Sequence, residues 1–154
     1  MANEDKKDFN KQLNDPKKIA KIVELDEKGA EKWGGKTMVV APPKDYDLLI
    51  KKIEKGKLAT TDTLRKTIAK QYKTEITCPL TCGIFTNIVA WASYQRDKDI
   101  TPFWRTIKSD GSLNPKFPEY PTLQKELLEQ EGHEIIEKRG KYLVKNFEEK
   151  LMDL

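Results

Sequence analysis

A length of 154 residues suits one domain with tails and is enough to bury a real core. Charged residues make up 35% of the chain against 37% hydrophobic, so the surface is densely charged; acids and bases are interspersed, and the net charge of +4 favours a polyanion only weakly. Cys78 and Cys82, with a single distant His133, cannot supply a disulfide framework at this size and are too few for a metal site, so neither a metal nor another cofactor is expected. The first ten residues lack the apolar core of a signal peptide, and no apolar run approaches the roughly 20 residues of a membrane span. A cytoplasmic protein without a membrane partner is the expectation.

Residues 1–18 are rich in Lys, Asp and Asn, with Phe9 and Leu13 as isolated apolar residues, and read as a flexible tail. Residues 19–52 read as an extension packed on the main domain. Lys18–Val23, where tail and extension meet, is a short apolar stretch, Gly34–Gly35 punctuates the chain, and Thr37–Val40 is a β-like run ending at Pro42–Pro43. Asp45 is the expected cap of a short helix through Leu48, Leu49 and Ile53 that stops at Gly56.

The main domain is expected over 53–154. After the extended Lys57–Leu58–Ala59, the hydroxyls of Thr60 and Thr61 and the carboxylate of Asp62 favour a helix start. Leu64, Ile68 and Tyr72 recur every four residues and form one buried stripe, with Arg65, Lys66, Lys70 and Lys73 on other faces. Those cations fit a solvated face or a phosphate-contacting one. A polar connection reaches Pro79, which suits the first turn of a helix because its missing N–H costs nothing there. Ile84, Phe85, Ile88, Val89 and Ala92 continue that helix to about Arg96, with Thr81, Thr86, Asn87 and Ser93 outward. Two successive helices with a short connection suggest a helix-turn-helix.

Ile100–Ile107 is dense in bulky residues, Ser109–Ser112 is a turn, and Pro115, Pro118 and Pro121 keep the next segment irregular. Leu123, Leu127 and Leu128 mark a helix ending near Gly132. Ile135, Leu143 and Phe147, either side of Gly140, mark a hairpin with a short helical tail. The fold class predicted is mostly α with small β elements (α+β).

This order carries a resemblance. Its anchors are Gly56–Thr60, Gly83, Pro102–Arg105, Asp110–Leu113 and Gln124–Gly132. Together they resemble the DNA-binding domain of O6-alkylguanine-DNA alkyltransferases and their alkyltransferase-like relatives, over about two-thirds of the chain. The resemblance implies a winged helix-turn-helix domain with a C-terminal β-hairpin. The family's chemistry uses a Pro-Cys-His-Arg loop: a thiolate nucleophile, a His that activates it, and a Glu that orients the His. A thiol needs such a base or a positive neighbour to act as a nucleophile. Here the Cys position is Phe103 and the His position is Trp104, and only the acid survives, as Glu131. No catalytic residue is therefore expected, because such groups act as a unit. Cys78 and Cys82 lie outside that loop and are expected to be small buried hydrophobes. Glu131 is expected to be structural or at the surface, and His133 at the surface.

Alkyltransferase-like relatives replace the acceptor Cys and still bind alkylated DNA. By that resemblance Phe103 and Trp104 are base-pocket candidates, since an aromatic loop can stack on an extruded base; the alternative is that both pack in the core. Thr60, Thr61, Arg65, Lys66, Lys70, Leu80, Thr81, Asn87 and Arg105 are the candidate nucleic-acid contacts. The family inserts an Arg into the base stack where this chain has Leu80, and uses a Tyr on the target's phosphate where it has Thr61. An apolar wedge at Leu80 is compatible with base-step insertion but brings no charge. The Asn-Pro hinge after the second helix is missing. Arg105 is retained.

Two functions follow. The first is a non-enzymatic module binding double-stranded DNA as a monomer, with alkylated guanine in DNA repair as the target. The second is a protein-interaction or structural module that kept the fold and lost DNA binding; an exposed apolar patch at Trp91, Tyr94 or Phe103 would favour it. An enzyme of another kind finds no acid–base or metal pattern around His133.

Overall fold

A computed structural model describes residues 7–154, and the first six residues of the expected tail lie outside that range. The described chain runs α1 (Phe9–Leu13), β1 (Lys21–Glu24), α2 (Glu27–Trp33), β2 (Thr37–Val40), α3 (Pro43–Ile50), β3 (Ala59–Thr60), α4 (Thr61–Tyr72), β4 (Ile76–Thr77) and α5 (Pro79–Tyr94). A 3-10 turn (Phe103–Arg105), β5 (Thr106–Ile107), α6 (Thr122–Gln130), β6 (Ile135–Lys138), β7 (Lys141–Val144) and a last 3-10 turn (Phe147–Lys150) follow. The mixed α and β content predicted from sequence is met, with the strands short and the helices carrying the core. Among the described residues no helix is long and apolar enough to cross a membrane.

α5 organises the molecule. Its sequence contains no charged residue, so little prevents burial all round. Cys82, Thr86 and the whole run Ile88–Ser93 are buried, with α1, α3, α4 and the Phe103–Arg105 turn packed against the helix. Thr86 and Ser93, expected on an outer face, are therefore inside. Ser93 Oγ donates to the Thr101 carbonyl and accepts from the Thr101 amide, which pins the loop after α5 to the helix.

α4 shows the local logic most clearly. Thr60 has extended dihedrals and its Oγ1 accepts the Thr63 amide at 3.2 Å, as its hydroxyl suggested. Leu64 and Ile68 are fully buried and Tyr72 partly so. Each fully buried aliphatic side chain is worth roughly 1.5–3 kcal/mol, more than the roughly 0–0.7 kcal/mol by which one ordinary residue differs from another in helix propensity. Thr60→Ala is expected to lower stability by about 1 kcal/mol, the usual cost of losing an N-cap. A shift of the urea midpoint at constant m-value measures it.

Among the described residues three small sheets complete the frame. β1 pairs antiparallel with β2, and β2 pairs parallel with β4. β3 pairs parallel with β5, and β6 with β7 forms the expected hairpin. The principal core gathers Phe9, Leu13, Tyr46, Ile50, Leu64, Ile68 and Trp91. A second cluster under the hairpin contains Leu58, Ile107, Leu113, Leu128 and Val144. Gly111 joins the two turns beside it. Its φ is +86°, and a Cβ there would meet the Phe147 ring at 2.4 Å, so the Asp110–Gly111 turn accepts no larger residue without displacing that ring.

Before α4 the structure differs from the sequence reading in four places. Phe9–Leu13 is not tail but helix, capped by Asp8, with Phe9 and Leu13 both buried on α5. Asp45 lies in the first turn of α3 rather than at its cap, because Pro42 and Pro43 already fix the entry. That helix ends at Ile50 rather than Gly56, and Ile53 is buried by the following turn. α2 was not foreseen: Asp26 accepts the Gly29 amide at its start and Gly34, at φ 87°, closes it.

Candidate nucleic-acid interface

The α4–α5 pair exposes a short surface. Leu80 and Ile84, one helical turn apart, are 64% and 56% exposed. Gly83 lies between them with open space over its Cα. On α4, Lys66 and Lys70 are exposed, whereas Arg65 is drawn into an ion pair with Asp62. Thr61 is half-buried beside them.

The remaining candidate contacts are occupied inside the protein. Thr60 is buried and spends its hydroxyl on the α4 cap. Thr81 Oγ1 donates to the Cys78 carbonyl. Asn87 Oδ1 accepts from Asn114 Nδ2 at 3.1 Å, tying α5 to the loop before α6. Arg105 does not face solvent: its Nη1 donates to the Ile53 carbonyl at 2.6 Å.

Arg105 belongs to a largely buried polar cluster. Its Nη2 and Nε donate to the two Glu131 carboxylate oxygens, each at 2.9 Å. Trp104 Nε1 donates to Glu131 Oε2, also at 2.9 Å, and the Gly56 amide reaches Oε1 at 3.4 Å. The Glu131 and Arg105 side chains are 8% and 15% exposed. Burial alone would raise the carboxyl's pKa; the bonds from Arg105, Trp104 and Gly56 outweigh it and hold the group below its ordinary value. Glu131 is thus an ionised structural hub, with donors on both oxygens. It holds the 3-10 turn, the C-terminal end of α6 and the turn after α3 together.

Phe103 is 3% exposed and sits edge-on to Phe117, with ring centroids 5.4 Å apart, and against Ala90. It is core, so stacking of Phe103 on an extruded base is not available in this arrangement. Trp104 is half-buried and remains beside it, its ring under the Arg105 guanidinium. His133 is a second correction: it is 7% exposed, with Nε2 unpartnered. Burial lowers its pKa, opposed by nearby Glu131 and aided by Lys150. The left-handed turn at Gly132 (φ +92°) folds the chain back under α6 and takes His133 inside. Cys78 and Cys82 are free and buried, as expected of small hydrophobes, and burial raises the Cys82 thiol. Trp91 is likewise internal and Tyr94 is 43% exposed, so the apolar patch lies at Leu80 and Ile84 instead.

Two grooves flank α5. One of about 390 Å³ lies between α1, α5 and the Pro115–Lys116 loop, lined by Phe9, Ile84, Asn87, Trp91 and Lys116. The other, about 340 Å³, lies at the start of α5 between Trp33, Arg65, Lys66, Glu75 and Pro79. Neither is lined by Phe103 or Trp104.

Comparison with known proteins finds no matching family profile and no matching curated protein. Among solved structures the chain is similar to S. pombe Atl1, crystallised in complex with damaged DNA containing O6-carboxymethylguanine. The identity is 20% and the TM-score 0.52, over 73% of this chain and 94% of that one. That likeness establishes a shared fold, in agreement with the order of motifs read from the sequence.

Proposed function

We propose that this chain is a non-enzymatic, alkyltransferase-like DNA-binding protein whose target is duplex DNA carrying alkylated guanine, acting in repair in the cytoplasm. The observation that carries the reading is the Trp104–Glu131–Arg105 cluster on this fold. The thiol and imidazole positions are aromatic, and the orienting carboxylate is fully engaged by structural donors. That leaves a binding surface and no nucleophile. In the similar structure Atl1 is bound to damaged DNA. On this chain α5 would approach the duplex with Leu80 as an apolar wedge in a base step, Lys66 and Lys70 would contact phosphates, and the β6–β7 hairpin would serve as the wing. Residues 53–154 form the binding unit on this reading, with 19–52 packed on it. Trp104 is the aromatic residue left to meet an extruded base.

The test is fluorescence anisotropy of a short duplex with and without O6-methylguanine, at low and physiological salt. Tighter binding to the modified duplex is expected, with a shallow salt dependence, since two lysines give a slope of only about −2 in log–log terms. Leu80→Ala is expected to weaken that binding about tenfold, from the area a buried leucine contributes. Equal affinity for both duplexes would remove the lesion and leave a general DNA binder. Absence of binding at low salt would overturn the DNA reading. It would favour the second reading, a protein-binding module, which rests on the uncharged α5 surface with exposed Leu80 and Ile84.

A further inference from the structure

The exposed strip of α5 carries no charge, whereas a duplex presents a phosphate on every nucleotide. Successive residues turn about 100° around a helix. Leu80 and Ile84 therefore form one line, with Thr81 and Phe85 along one flank and Gly83 and Asn87 along the other. On each flank another element brings a lysine.

On the first flank it is Lys18. Its ammonium lies over the Phe85 ring, 5.7 Å from the centroid, within reach of a cation–π contact. Both partners are fixed. Phe85 packs edge-on to Tyr46 of α3, with centroids 6.2 Å apart. Lys18 closes a turn in which its amide donates to the Asp15 carbonyl at 3.1 Å and the Lys17 amide donates to Asp15 Oδ1 at 2.9 Å. That turn follows α1, which packs on α5, so the chain leaves α1 beside this flank.

On the second flank it is Lys116. Asn87 Oδ1 accepts from Asn114 Nδ2, and Trp91 Nε1 donates to the Lys116 carbonyl at 2.9 Å. The loop is thus tied to α5 at two points one helical turn apart. Lys116 is exposed and lines the groove of about 390 Å³ with Ile84 and Asn87. Among the described residues neither lysine has an acidic partner, in contrast to Arg65, which Asp62 holds.

A helix laid in a groove of duplex has a sugar–phosphate strand on either side. We propose that Lys18 and Lys116 contact those two strands, supplying from outside the helix pair the charge that α5 lacks. The inference rests on the DNA reading above and extends the binding unit beyond residues 53–154, to the segment after α1. A lysine meets a phosphate as a point charge and reads no base, so the pair strengthens binding of modified and unmodified duplex alike.

A salt series of the anisotropy measurement tests it, on the full chain and on Lys18→Ala and Lys116→Ala. Lys98→Ala, an exposed site past the far end of α5, is the control for the charge lost. Each phosphate contact adds about −0.9 to the log–log slope, so the wild type should be steeper by about 2 than Lys66 and Lys70 alone provide. Lys18→Ala and Lys116→Ala, each checked for native circular dichroism, should each lose about 1 of that slope. Relative to 1 M salt that is about fivefold in affinity at about 0.15 M, equal for both duplexes. Lys98→Ala should match the wild type, and Lys18→Arg, which keeps the charge, should retain the slope. A wild type that binds with a slope of only about −2, or variants that match Lys98→Ala, would overturn the inference and leave the DNA reading standing. A loss in one variant alone would overturn the flanking pair. A wild type that binds neither duplex at low salt would overturn both.

Discussion

Glu131→Ala is expected to destabilise the fold by about 3–5 kcal/mol, the cost of stranding one member of a buried ion pair. The variant leaves the Arg105 guanidinium largely enclosed with the Ile53 carbonyl as its remaining partner, and takes the acceptor from Trp104 Nε1. Glu131→Gln should lose most of the same amount, because an amide keeps an acceptor for the indole but not the charge that balances Arg105. Urea unfolding at neutral pH, followed by tryptophan emission, measures both. The wild type should also show an acid limb that the variants lack. The folded carboxyl titrates below its ordinary value of 4.5. Its contribution is therefore complete above the unfolded pKa and is lost as pH falls through the lower, folded one. His133 acts in the same direction at higher pH. Its imidazole is depressed below 6.5, so the folded state resists protonation and stability begins to fall as pH drops through that value. A Glu131→Gln profile that kept the full acid limb would remove the carboxylate from the account.

The contrast between these two residues shows what was legible in the sequence. α4, α5, α6 and the hairpin follow from apolar periodicity, and the structure places them within a few residues of the expected bounds. Periodicity is a local signal, and these elements have enough length to express it. Glu131 was visible only through a resemblance, and its role was not, because Arg105 and Trp104 lie 26 and 27 residues away and meet it only through the packing of α6 on the 3-10 turn. Burial of His133 depends on a single left-handed glycine, whose direction no composition reveals. α2 is the opposite case: it buries no residue outright, so it has no periodic stripe, yet Asp26 and Gly34 are ordinary start and stop signals that would have located it. By sequence Phe103 fits either a pocket or the core, and α5 decides it, by presenting Ala90 where a flat ring can approach.

Phe9→Ala is expected to cost about 3–4 kcal/mol, an effect that a flexible tail cannot have. Phe9 is 5% exposed and stacks on Trp91 with centroids 5.7 Å apart and the ring planes 29° from parallel. Leu13, one turn on, is 2% exposed against the same helix. Between them Asn10 Nδ2 donates to the Ala92 carbonyl at 2.9 Å, and Asn10 Oδ1 accepts from Arg96. Gln95 Oε1 accepts the Phe9 amide, so the helix is anchored from both ends of α5's last turns. Five residues form no stable helix alone, since nucleation is unfavourable and too few bonds follow it. α1 therefore exists because α5 offers it a groove, and the dependence is mutual: removing the ring uncovers Trp91. The variant should shift the urea midpoint downward with m unchanged and red-shift the tryptophan emission of the folded state. A Phe9→Ala protein as stable as the parent would mean that α1 does not pack there in solution, and would return residues 9–13 to the tail that their composition suggests.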